Sequence, residues 1–371
     1  MMTDATEGRP LRGALIGHGF IAERGHLPAY RECAGRGGPL QIVAIADSCP
    51  ARRERARATH PEARIYDDWA SLLAREEGRI DFVDVTTPPA FHAEIAHGAL
   101  DRGLHVLCEK PLTTSPAEAR SLLDHALRVR RVIYPSHNYK HAPVIKRVRE
   151  LLDEGIVGAP SLVTLQTFRT THAKGVAEWR PDWRRERRYS GGGIAMDHGS
   201  HTFYLAFDWL GGYPTAISAT TSTLDGHDTE DNVACSIRFP TGMASAHLTW
   251  TAGARKVIYT VHGAKGAIRV EDDDLEITTT ARGAPEVLRE RLPSDWMDAS
   301  HVKWFASLID DFAGAVARRE WVGKDAEDAV RCIELIGAAY ASARRSGREQ
   351  RLGAASLVPA VTHGGAHGLL R

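Results

Sequence analysis

Residues 11–22, LRGALIGHGFIA, run a short apolar strand straight into Gly17, Gly19 and Ala22. A chain can make that passage in few ways. The first glycine permits a tight turn, the second lets backbone come close to a pyrophosphate, and a small third residue lets the next helix lie against the strand. The amides that open that helix then face an anion. In a chain with 34 glycines the spacing alone says little, so its surroundings decide. A second apolar run, QIVAIAD, ends at Asp47. A third, IDFVDVTTPP, stops at Pro88 and Pro89, and a fourth, HVLCEKP, stops at Lys110 and Pro111. Between the last two, FHAEIAHGALDRG has helical spacing and a glycine stop. This rhythm predicts an α/β fold whose N-terminal part is a doubly wound parallel Rossmann sheet.

Ligands of such sheets collect at the carboxyl ends of the strands. Asp47 sits at one of these, where a carboxylate accepts hydrogen bonds from a ribose diol and disfavours a 2′-phosphate. NAD is therefore expected over NADP, although Ser48, Arg52 and Arg53 offer groups that bind such a phosphate. The spacing from Gly17 to Asp47 is longer than the usual ~20 residues, and the surplus falls in the loop-like CAGRGGPLQ. Lys110 sits at another strand end, where the following proline fixes the turn and aims its ammonium. The alternative for either residue is an ordinary solvated strand end.

At 371 residues the chain exceeds the size at which a single core stops growing. Beyond Tyr134, an amphipathic helix is followed by SLVTLQTFR, PTAISATTSTL, NVACSIRF, GMASAHLTW, KVIYTVHG and AIRVEDDDLEI, strands punctuated by glycine and proline. The expected division is a cofactor domain over 10–134, an α+β domain for substrate and oligomerisation over 135–355, and a tail over 356–371. The 47 basic and 47 acidic side chains cancel, which gives no reason to expect nucleic acid or an anionic membrane as partner. The start, MMTDATEGRP, has no apolar export core, and the five scattered cysteines never form CxxC. A cytoplasmic protein with reduced thiols is expected.

The second domain also holds GGGIAMDHGSH, residues 191–201. On a helix, Asp197 and His201 share one face. The three glycines would let that helix start pass close to a nicotinamide ring and substrate. Histidines three apart, with neither a cysteine nor a glutamate of HExxH type, make a poor metal site, and no metal is expected. Just upstream, EWRPDWRRERRYS carries Arg180, Arg184, Arg185, Arg187 and Arg188. They read either as a clamp for a phosphorylated or nucleotide-linked sugar or as a salt-bridged loop.

GHGFIA, AD at Asp47, TTPP, EKP at Glu109 to Pro111 and MDHGSH together resemble the Gfo/Idh/MocA oxidoreductases, named for glucose-fructose oxidoreductase and inositol dehydrogenase. The resemblance extends from about Leu11 to about Gln350. It implies a second domain with a large, mainly antiparallel open sheet, NAD(P) on the first domain, and a homodimer or homotetramer formed through the exposed sheet face. The EKP lysine falls on Lys110, with a peptide to Pro111 that is often cis, and the helix-borne acid and imidazole fall on Asp197 and His201. Ala22 departs from the last glycine, and His198 fills a variable position.

The expected cofactor contacts are Gly17, Gly19, Phe20, Ile21, Asp47 and Ser48, then Thr86, Thr87, Pro88, His92, Glu109 and Lys110. Substrate contacts are expected from Asn138, Tyr139, Arg169, Trp183 and His198. His201 is assigned as general acid/base, Lys110 as the cation on the substrate oxygen, and Asp197 as its partner, with Lys110 as the alternative proton carrier. The leading function is NAD(P)-dependent oxidation or reduction of a sugar, cyclitol or derivative. Two alternatives stand beside it: a glycoside hydrolase working through transient oxidation, and a non-catalytic NAD-binding regulator.

Overall fold

The computed structural model describes residues 9–224, 226–280, 285–296 and 298–353; the expected tail over 356–371 lies outside them. The described residues form two sheets. The first contains β1 (Leu11–Ile16), β2 (Leu40–Ala46), β3 (Arg64–Tyr66), β4 (Phe82–Val85), β5 (His105–Cys108) and β6 (Ile133–Pro135). All its pairings are parallel, in the order β3-β2-β1-β4-β5-β6. This is the doubly wound Rossmann order, and its crevice opens where β1 separates β2 from β4. The four expected strands are present. β3 and β6 complete the set, each only three residues long and too short to carry a period.

The second sheet runs β7 (Pro160–Phe168), β8 (Ala216–Ser222), β9 (Asn232–Arg238), β10 (Met243–Thr249), β11 (Lys256–Gly263), β12 (Gly266–Glu271), β13 (Asp274–Thr279), β14 (Glu286–Arg291) and β15 (Gln350–Arg351). Their order is β14-β13-β12-β11-β7-β10-β9-β8-β15, antiparallel throughout except for β7 against β10. In β9 and β10 buried residues alternate with exposed ones, as one-sided burial requires. One face packs under the helices Pro143–Asp153 and Ser200–Trp209, while Ser236, Ser245 and His247 lie on the open face.

After the second sheet the chain returns to the first. Helix Val302–Arg318 lays Phe305, Leu308, Ile309 and Phe312 against Tyr30, Phe82 and Leu107. Helix Lys324–Ala343 serves both cores with two stripes. Ala326, Ala329, Val330 and Ile333 enter the first core, and Cys332, Leu335, Ile336 and Ala339 enter the second. Each stripe steps three, four and seven residues along the helix, the spacing of one helical face. Burying a Val, Leu or Ile side chain contributes roughly 1.5–3 kcal/mol, so this helix fixes how the sheets meet.

Candidate active site

The cleft between the two sheets has a volume of about 960 Å³. Its floor is the turn after β1. Gly17 has φ +98°, and a Cβ there would lie 2.9 Å from the amide nitrogen of Thr87, so both its conformation and its neighbours demand glycine. Gly19 differs: a Cβ would meet nothing within 4 Å, because the space beside it is open cleft. Phe20 and Ile21 line the cleft next to it. The Asp47 carboxylate accepts hydrogen bonds from the amides of His18 and Cys49, both 2.7 Å, and so stands fixed at the rim beside Ser48. Arg52 is committed to the His18 carbonyl at 2.7 Å and to Glu23 at 2.5 Å. Arg53 is committed to the carbonyls of Asp47 and Ser48 at 2.9 Å. Arg52 is thus engaged and Arg53 gives one nitrogen to the backbone, while the acceptor-only Asp47 carboxylate favours a 2′-hydroxyl beside it. Asp47→Ser is expected to weaken NADH by roughly ten- to hundredfold and to narrow its preference over NADPH. Fluorescence titration with both cofactors measures this, and an unchanged preference would place the ribose elsewhere.

The β4 and β5 ends form the wall. Thr86 donates its hydroxyl to the Gly17 carbonyl at 2.7 Å, tying the wall to the floor, and Thr87 and Pro88 line the cleft. His92, expected to touch cofactor, stands instead behind this wall. Fully buried, its ring nitrogens lie 2.9 Å from the Pro111 carbonyl and 2.8 Å from that of Thr87, so it ties two loops together. The Lys110–Pro111 peptide is cis. Glu109 is held from beneath by His26, whose ring nitrogens contact Glu109 at 2.9 Å and Asp84 at 2.7 Å. Burial acts to lower the His26 pKa, yet Asp84 and Glu109 together raise it to about 10.

The opposite wall begins at Gly191. A Cβ on Gly192 would fall 2.0 Å from the Tyr340 hydroxyl, and one on Gly193 would fall 1.9 Å from the Glu230 carbonyl oxygen. The room expected for cofactor and substrate is thus first taken by protein, although Gly192 also borders the cleft. Glu230 accepts from the amides of Gly193 and Ala195 at 2.9 and 3.0 Å and from the Tyr340 hydroxyl at 2.8 Å, anchoring the start of the helix. That helix opens with a π turn over Ala195–Gly199 before α-helix over Ser200–Trp209. Such wide turns recur at functional sites. Here Ser200 and Thr202 donate their hydroxyls to the carbonyls of Asp197 and His198 at 3.0 and 2.7 Å.

Asp197 and Lys110 meet across the cleft, with Nζ 2.9 Å from Oδ1 and 3.1 Å from the Asp197 carbonyl. Arg184 Nε and His198 Nδ1 lie 3.5 and 3.3 Å from the other carboxylate oxygen. Burial acts to raise the Asp197 pKa, but Lys110, Arg184 and His198 hold it well below the usual carboxylate range. His201 stacks on Tyr139 with ring centres 4.2 Å apart. Burial, then the charge of Lys110, press its pKa well below that of free imidazole, so it is a neutral base at pH 7. Burial pushes His198 down to about 4.

Asn138, Tyr139, Arg169, Trp183 and His198 all line the cleft. Of the arginine run, Arg184 alone reaches Asp197. Arg185 is buried against Asp231, Arg188 pairs with Glu186 at 2.5 Å, and Arg187 donates to the Asp228 carbonyl at 2.8 Å. Arg255 and His301 also line the cleft. Neither lies in a motif, and sequence reasoning passed over both.

A family model described as "Oxidoreductase family, NAD-binding Rossmann fold" matches residues 11–137, and one described as "GFO/IDH/MocA C-terminal domain" matches residues 145–269. The chain is 28% identical to D-apiose dehydrogenase of Paraburkholderia graminis over 96% of this chain and 94% of that one. It is 26% identical to inositol 2-dehydrogenase of Rhizobium meliloti over 90% and 96%. Among solved structures, a levoglucosan dehydrogenase in complex with NADH and levoglucosan superposes with a TM-score of 0.81 at 23% identity, covering 92% of this chain and 99% of that one.

Proposed function

The chain belongs to the Gfo/Idh/MocA family of NAD-dependent oxidoreductases acting on sugars and cyclitols, and on that premise we propose that Lys110, Asp197 and His201 carry its proton chemistry. The observation that supports this is the 2.9 Å contact of Lys110 with Asp197 beside a neutral His201. Bound NAD supplies the hydride acceptor. In the oxidising direction His201 takes the hydroxyl proton, as a base that stays unprotonated at neutral pH. Lys110 steadies the oxygen as negative charge develops on it. Asp197 fixes the ammonium, and the Tyr139 ring fixes the imidazole plane.

Among the described residues no helix is long and apolar enough to cross a membrane. With its described cysteines all free, we place the protein in the cytoplasm. We further infer a homodimer or homotetramer formed through the open face of the second sheet.

The test is an absorbance screen at the NADH band, with NAD and NADP, against sugars, inositols and sugar derivatives. The expected result is stoichiometric NADH from at least one sugar or inositol. A sugar consumed with no net NADH would replace this reading with transient oxidation, and no turnover of any polyol would remove it.

A further inference from the structure

Arg169 directly follows β7 and Arg255 directly precedes β11. These strands are antiparallel neighbours, with Phe168 paired to Lys256, so the two arginines leave the sheet side by side at the end that faces the cleft. Both line the cleft, and Arg169 is only 8% exposed. Arg169 Nη1 donates to the carbonyls of Phe168 and Lys256 at 2.9 and 3.3 Å, and Nη2 to the Tyr139 hydroxyl at 3.3 Å. Arg255 donates to the Trp296 carbonyl. Among the described residues neither guanidinium has a carboxylate within 4 Å. Two adjacent cations, one buried and one partly buried, neither in an ion pair, are costly. Burial, then the charge of Arg169, depresses the pKa of Arg255.

A third group joins them. His301, 8% exposed, lines the cleft in a left-handed backbone conformation, φ +46°, and stacks on Trp304 with ring centres 3.8 Å apart. Its Nδ1 is buried without a hydrogen-bond partner among the described residues. Left-handed backbone at a non-glycine residue is retained where the surroundings dictate it, often at ligand clamps.

Asp272 and Asp298 act on Arg255, and Asp298 on His301, without forming an ion pair with either. Lys174 and Arg180 are paired with Asp182 and Glu186, Glu109 with His26, and Asp197 is shared by Lys110 and Arg184. We propose that Arg169, Arg255 and His301 form an anion subsite, and that the substrate is accordingly a sugar derivative carrying a carboxylate or phosphate rather than a neutral sugar. The Tyr139 ring stacks on His201 while its hydroxyl accepts from Arg169, so one side chain joins the anion subsite to the base. Guanidinium forks suit either group. This inference rests on the reading of the cleft as a sugar-oxidising site.

The test is calorimetric titration of the NADH-loaded protein with three matched pairs: D-gluconate against D-glucitol, D-galacturonate against D-galactose, and D-ribose 5-phosphate against D-ribose. In at least one pair the anion is expected to bind at least about tenfold more tightly than its neutral partner, and the responding pair tells carboxylate from phosphate. Arg169→Met removes two backbone contacts and the one to Tyr139, whereas Arg255→Met removes a single backbone contact and is the cleaner variant; each is expected to cut the preference about tenfold, and Arg255→Lys to keep part of it. Equal or tighter binding of the neutral partner in every pair, no binding of any anion, or a preference that survives both methionine variants would overturn the proposal. NADH formed from neutral sugars alone would overturn this inference and leave the dehydrogenase standing, whereas a strong anion preference without turnover would do the reverse.

Discussion

Lys110→Met is expected to lower kcat/KM by roughly a thousandfold, with the Kd for NADH changed by less than about tenfold. Methionine keeps much of the stem and removes the ammonium that sits 2.9 Å from Asp197, so the loss should fall on kcat. The pH profile adds a second reading. His201 is pressed well below the ordinary imidazole pKa by burial first and by Lys110 next. The acid limb of the wild-type profile is therefore expected below pH ~6.5, and in the variant, freed of that cation, it should move upward. Steady-state kinetics from pH 5 to 9 would check both. A loss smaller than tenfold, or an acid limb that does not move, would show that the ammonium acts neither on the reacting oxygen nor on the base.

The second large effect is expected at His26→Leu, at a residue that does not line the cleft. The imidazolium is fully buried between Asp84 and Glu109, with Tyr30 donating to Asp84 at 3.1 Å and the Phe305 ring tilted against it, ring centres 4.3 Å apart. Removing it leaves two carboxylates facing apolar surface, which costs about 3–5 kcal/mol. The pKa is raised in the folded state to about 10, against ~6.5 in an unfolded chain. This contribution is whole below pH ~6.5 and is lost as pH rises from there through 10, because over that range the folded state keeps a proton that the unfolded chain has given up. Urea unfolding of both proteins between pH 6 and 10 should show their difference shrinking. A flat difference, or one below about 1 kcal/mol, would mean the imidazole is neutral in place.

Much of this protein was legible in its residue order because the relevant physics is local. Gly17 and Gly19 announced the turn, and the structure gives them different reasons, a forced φ at one and open space at the other. Lys110, Asp197 and His201 were marked by motif and do line one cleft. The glycine triplet was read without its neighbours: Gly192 borders the cleft as expected, while Tyr340 and Glu230 fill the room beside Gly192 and Gly193. His92 was misplaced for the same reason. The helix bearing Asp197 was expected to be regular, and nothing in AMDHG signals that it opens with a π turn. In the arginine run, composition could not separate Arg184 at the cleft from Arg185 buried on Asp231.

Strand period and glycine turns by themselves determined the Rossmann half and the turn after its first strand, since each depends on neighbours a few positions apart. Only the tertiary structure decided which distant groups share a space. It set His26 beneath Glu109, 83 residues away, and brought Arg169 and Arg255 side by side just beyond the Phe168–Lys256 pair of the second sheet. It also sent helix Val302–Arg318 back across the first sheet. Those juxtapositions follow from sheet order and from how two cores pack on one shared helix, and no local pattern encodes either.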